Sequence, residues 1–149
     1  MTTAENGPFI VAGVDGSEEG TLALRWALRQ AALTGARLHV VSAWQVPFGY
    51  GFPEAYIGTD VEDGFRAHLR QILHDVPAGD VPVSSSVVNG VPAAVLVEAS
   101  RGAELLVVGS RGHGAFAGLL LGSVSTHCVS HAHCPVTVVR APRTEDADA

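Results

Sequence analysis

The residues best able to do chemistry lie in one stretch, Leu105-Leu-Val-Val-Gly109-Ser-Arg-Gly112, followed after nine residues by Gly122-Ser-Val-Ser125. An apolar strand there runs into a glycine turn, and the second glycine opens a helix-compatible segment. Glycine lets a backbone approach a ligand closely, and the N–H groups of a helix's first turn hold anions at the positive end of its dipole. The pattern is that of a phosphate cradle, set against the plainer reading of turns and tight helix–sheet packing. The chain contains no lysine, which excludes a GxxxxGK[ST] P-loop. A phosphate would be held by backbone amides, hydroxyls and Arg111, the one formally charged residue between Glu104 and Arg140 apart from histidines. For Arg111 and for His113, an anion contact and a solvated loop tip both fit.

A second candidate is Asp15, in Val14-Asp15-Gly16-Ser17 at the end of another apolar run. A carboxylate there can hydrogen-bond a ribose hydroxyl or hold Mg2+ on phosphates through water. It also suits a simple turn or helix-cap role.

These candidates need elements to position them. Phe9–Val14 reads as a first strand, and Ser17 as the N-cap of a helix whose Leu22, Trp26, Leu28, Ala32 and Leu33 recur at helical spacing until Gly35. Arg37–Trp44 is a second strand. Residues 45–58, with Pro47, Gly49, Gly51 and Pro53, read as a loop carrying Phe48, Tyr50, Phe52 and Tyr56. Thr59-x-x-Glu62 matches a capping box, opening a helix with a stripe of Phe65, Leu69, Ile72 and Leu73. Val81–Val88 is a third strand, Pro92 opens a third helix, and Glu104–Val108 is a fourth strand. Ser123 to about His133 is the last helix, and Pro135–Arg140 a fifth strand.

Strands alternating with helices imply a mostly parallel sheet covered on both faces. In such sheets ligands bind beyond the carboxyl ends of the strands, where strand order reverses. If strands one and four are neighbours, Asp15 faces the glycine loop across one crevice. The end of strand three, Val88-Asn89-Gly90, is a weaker candidate.

The bulk numbers narrow the field. At 149 residues with 47% apolar and 16% charged side chains, the chain fits one soluble globular domain. A net charge of −6 argues against nucleic acid or an anionic membrane as partner. Cys128 and Cys134 are too few for a disulfide framework, and the first residues lack the regions of a signal peptide, so a cytoplasmic location is expected. Residues 1–7 and the acidic 142–149 are expected to be flexible ends flanking a single domain over 8–141. His127, His131 and His133 with the two cysteines suggest a metal centre, but surface histidines and buried thiols account for them better, and no metal ligand is assigned.

Gly109-x2-Gly112-x9-Gly122-Ser123, the later Cys134-Pro-Val-Thr-Val-Val-Arg140 and the opening Val-Ala-Gly-Val-Asp15-Gly-Ser17 together resemble the universal stress protein family, in its ATP-binding subgroup. The resemblance covers about Pro8 to Arg140. It implies an α/β, Rossmann-like fold of the adenine nucleotide alpha hydrolase-like type, a five-stranded parallel sheet in order 3-2-1-4-5 with helices on both faces. It also implies ATP, with Mg2+, as the bound group. Matched by position, Asp15 would sit by ribose and phosphates, and Val41 would contact the adenine through its backbone. Val108, Gly109 and Gly112 would lie along ribose and phosphates, and Gly122, Ser123, Val124 and Ser125 would hold the phosphates. Gly13 and Arg111 complete the expected cofactor-binding set. The family further implies a homodimer paired through the last strand, here Val136–Arg140, an apolar edge that should not stay free.

The sequence carries no GxSxG elbow and no evident nucleophile–base pair, so no catalytic residue is assigned. The expectation is an ATP-binding regulatory or signalling protein of the stress response. Two alternatives stand beside it: a slow Mg-dependent ATPase, and a nucleotide-independent interaction module.

Overall fold

The computed structural model describes residues 7–45, 54–111 and 121–142, and only the backbone for 54–59. In chain order the elements are β1 (Phe9–Gly13), α1 (Glu18–Thr34), β2 (Arg37–Trp44), α2 (Glu54–Asp75) and β3 (Val83–Asn89). They continue with α3 (Pro92–Ala99), β4 (Leu105–Gly109), α4 (Ser123–His131) and β5 (Val136–Val139). All pairings are parallel, in the order β3-β2-β1-β4-β5. β1 and β4 are therefore neighbours, as the crevice argument requires.

Alternation along the central strands sorts two cores. Ile10, Ala12, Leu38, Val40 and Val107 face α1 and α2, whereas Val11, Val41, Leu106 and Val108 face α3 and α4 with Leu96 and Cys128. Strand order reverses between β1 and β4, since the connection after β1 crosses one face and that after β4 crosses the other. That is the switch point at which ligands enter such sheets.

Ser17 caps α1 by accepting from the Gly20 N–H at 3.1 Å, and Gly35 ends the helix at φ 73°. The buried face of α1 differs from the expected stripe. Ala23, Leu24, Ala27, Leu28 and Ala31 are buried, while Leu33 is 83% exposed. Bulk misled the expectation, because a run of alanines lets the helix lie close on the sheet where larger side chains would hold it off.

The second helix also departs from its expected start. It begins at Glu54, so Thr59 lies inside it and cannot cap it, and the expected loop ends earlier than residue 58. Nothing in Glu54–Gly58 halts a helix before its interior. The dense proline and glycine punctuation stops at Pro53, the single Gly58 is of the kind a helix interior tolerates at a cost of about 1 kcal/mol, and Glu54 suits the positive end of the helix. The rest of the aromatic segment, 46–53, lies outside the described residues, as do the ends 1–6 and 143–149. Among the described residues, no helix is long and apolar enough to cross a membrane.

Candidate functional site

At the end of β1 the ladder runs one residue beyond the strand, with the Val14 N–H donating to the Val41 carbonyl at 3.0 Å. The chain then turns through Gly16 at φ 85°, where a left-handed backbone favours glycine. The Asp15 carboxylate accepts from the Ser17 N–H at 2.9 Å and from the Ser17 hydroxyl at 2.5 Å. The turn thereby fixes an exposed carboxylate at the amino end of α1. Asp15, Gly16 and Ser42 line a cavity of about 300 Å³, walled on its far side by Phe65, His68 and Leu69 of α2.

The end of β4 is built around Ser110, which is 2% exposed. Its N–H donates to the Val139 carbonyl at 2.8 Å. Its carbonyl accepts from the Gly122 N–H at 2.5 Å and from the Ser125 hydroxyl at 2.8 Å, and its own hydroxyl donates to Glu19 at 2.5 Å. The same Glu19 carboxylate accepts from the Arg111 N–H at 2.6 Å, and its other oxygen lies 3.3 Å from the Arg111 guanidinium. Burial alone would raise the Glu19 carboxyl. The Ser110 hydroxyl, the Arg111 amide and the Arg111 guanidinium outweigh it and hold the group below its ordinary value, so it is ionised at neutral pH.

Gly122 is the N-cap of α4 and offers no side chain to its first turn. The first N–H to bond back is that of Thr126, on the Gly122 carbonyl at 3.0 Å. The amides of Ser123, Val124 and Ser125 thus form an N-terminal turn without a side-chain cap, docked directly on the end of β4.

Placed residue by residue, the expected set divides. Gly13 is glycine because Leu96 lies over it, where an added Cβ would stand 2.8 Å from that side chain. Gly109 is glycine because α1 lies over it, with the Glu19 backbone 3.0 Å from such a Cβ. Both fulfil the packing reading of the glycines. Val41 and Val108 point their side chains into the α3/α4 core, and Ser42 is the β2 residue that reaches the cavity. Arg111 faces Glu19 rather than an empty loop tip. Of the two serine hydroxyls, that of Ser123 is exposed while that of Ser125 bonds to the Ser110 and Gly122 carbonyls. Val124 is half-buried against the α3/α4 core. Gly112 and His113 lie outside the described residues.

Sequence reasoning missed Glu19, Ser110 and Ser42. Glu19 reads as an ordinary acidic residue in a helix's first turn, and its partners stand 91 and 92 positions away. Only the β1–β4 adjacency could have suggested the contact. Away from the site, Cys128 is fully buried in the α3/α4 core and Cys134 is half-buried against it, while His127 and His131 are exposed on α4.

The family model described as the universal stress protein family matches residues 9–140. Universal stress protein Rv2623 of Mycobacterium tuberculosis is 33% identical over 148 residues, covering 93% of this chain and 50% of its own length. The chain spans about half the length of the curated relatives it matches. Among solved structures, universal stress protein UspA from Lactobacillus plantarum superposes with a TM-score of 0.77 at 22% identity, over 89% of this chain and 97% of that one. A universal stress protein solved in complex with cAMP gives 0.69 at 28% identity, over 89% and 96%.

Proposed function

This chain belongs to the universal stress protein family, and from that premise we propose that it binds an adenine nucleotide, ATP with Mg2+, as a regulatory protein of the stress response. The observation that carries the proposal is the first turn of α4, whose N-cap Gly122 supplies no side-chain cap and which is held on the β4 end by Ser110. Those amides suit a phosphate, and the chain's lack of lysine leaves this work to them. The cAMP-bound relative at 28% identity supports a nucleotide as the ligand class.

The fit extends to the other strand ends. The cavity beside Ser42 has apolar walls for a base, and Asp15 at its mouth offers an acceptor for ribose hydroxyls. The same carboxylate is a hard oxygen donor of the kind Mg2+ prefers, and the ion would neutralise phosphate charge. Gly112 and Ser123 would complete the phosphate end. β5 is an edge strand, which supports a homodimer paired through Val136–Arg140.

Calorimetric titration with ATP and Mg2+ tests the reading. Saturable binding is expected, weakened at least tenfold in Asp15→Ala with the fold intact by circular dichroism. No heat at millimolar ATP refutes it. ATP retained unhydrolysed through purification would separate binding from slow turnover.

A further inference from the structure

Glu19 is a buried carboxylate that the nucleotide reading leaves without a task. It is 8% exposed, it lies across from the phosphate end of the site, and its acceptors are filled by Ser110 and Arg111. Ser110 bonds Glu19 through its hydroxyl and α4 through its carbonyl. One residue and two hydrogen bonds therefore separate the Glu19 charge from the α4 amides, a span of about 10 Å. That is slightly more than the Debye length of about 8 Å at physiological salt, but part of the path is buried, so screening is incomplete.

Arg111 is the sole lysine or arginine between Glu104 and Arg140. Its guanidinium would be the natural formal charge to meet a polyphosphate, but it stands 3.3 Å from the Glu19 carboxylate. The pair cancels at a distance, and among the described residues the phosphate end is left with amide dipoles and hydroxyls. Dipoles of that kind hold one phosphate well and compensate poorly for each further negative charge.

We propose that Glu19 sets the phosphate-charge preference of the site by neutralising Arg111, so that AMP binds in preference to magnesium-free ATP. The proposal rests on the nucleotide reading above. Glu19 acts here as a positioning residue, since it works through Arg111 and touches no ligand. Mg2+ on the phosphates relieves the same excess charge from outside, so the preference narrows when the ion is present.

The test is calorimetry with AMP and with ATP, each with Mg2+ and with a chelator, on the wild type, Glu19→Gln and Glu19→Asp. Glutamine keeps an acceptor for Ser110 and the Arg111 amide but releases the guanidinium charge. Magnesium-free ATP should then gain about tenfold in affinity, while AMP gains less than about threefold. Glu19→Asp should restore the wild-type ratio of the two dissociation constants. A ratio unchanged in Glu19→Gln overturns the proposal, because a merely structural role would shift both ligands together. Should Glu19→Gln fail to fold, the wild type decides: magnesium-free ATP binding as tightly as AMP overturns the proposal, and weaker ATP binding that Mg2+ rescues supports it. If neither nucleotide binds under any condition, the nucleotide reading falls and this inference with it.

Discussion

Gly109→Ala should cost more stability than Gly13→Ala, although the nearest atom is closer at Gly13. At Gly109 an added methyl would meet the Glu19 carbonyl carbon and Cβ at 3.0 Å and the carbonyl oxygen at 3.1 Å. Comfortable carbon contacts begin at about 3.5 Å, so α1 must retreat by about half an ångström. That helix is seated on the sheet by Ala23, Leu24, Ala27 and Ala31, and moving it opens their contacts. The overpacking should cost about 2–3 kcal/mol, offset by about 0.5–1 kcal/mol because alanine orders more cheaply than glycine in a strand. At Gly13 the obstructing atoms are the two methyl ends of Leu96, at 2.8 and 3.0 Å. A side-chain end can turn aside for about 0.5–1.5 kcal/mol, which the same offset nearly cancels. Urea unfolding followed by circular dichroism should therefore show a net loss of about 2 kcal/mol for Gly109→Ala, with an unchanged m-value, and little loss for Gly13→Ala. In thermal unfolding the former should lower Tm by about 4–8 °C. A neutral Gly109→Ala, or a Gly13→Ala that costs more, would refute the claim that helix backbone, not proximity alone, makes Gly109 obligatory.

Acid should expose the Glu19 network. Its carboxyl lies below its ordinary value of 4.5, so its contribution is present above that pH and fades as pH falls through the folded-state value. Wild-type stability should thus drop more steeply into acid than that of Glu19→Gln, and parallel curves would contradict the assignment. Cysteine labelling should be equally selective. Burial pushes the Cys128 thiol up to about 11, while Cys134 is half-buried. An aromatic disulfide reagent at mildly alkaline pH should titrate Cys134 first and reach Cys128 only on unfolding, and equal rates for both would count against the buried position.

The fold was largely legible because its signals are local. Apolar runs ending in glycine or polar turns marked the strands, Ser17 and Gly35 bounded α1, and Pro92 opened α3. The order 3-2-1-4-5 followed from the family resemblance, since alternation alone implies a parallel sheet but not which strands adjoin. The misreadings came where one residue type can serve two ends. Leu33 looks like core and stands in solvent, because alanines serve the close face of α1. Thr59 looks like a cap and sits inside a helix. In the site, Asp15 and the glycines stood out by type, whereas Glu19 and Ser110 did not, since their importance lies in a contact between α1 and the end of β4 that no local spacing encodes.

The hydrogen bond from Gly122 to the Ser110 carbonyl joins the two ends of the connection that leaves β4 and enters α4. The scaffold clasps that connection at its neck. Closing a segment already clasped costs only a logarithm of its length, so adding or removing a residue there asks little of the sheet. The closure cost of altering the nine-residue interval between Gly112 and Gly122 is thus small. Length variants of that interval that fold with wild-type stability would bear this out, and a steep loss of stability with each added residue would contradict it.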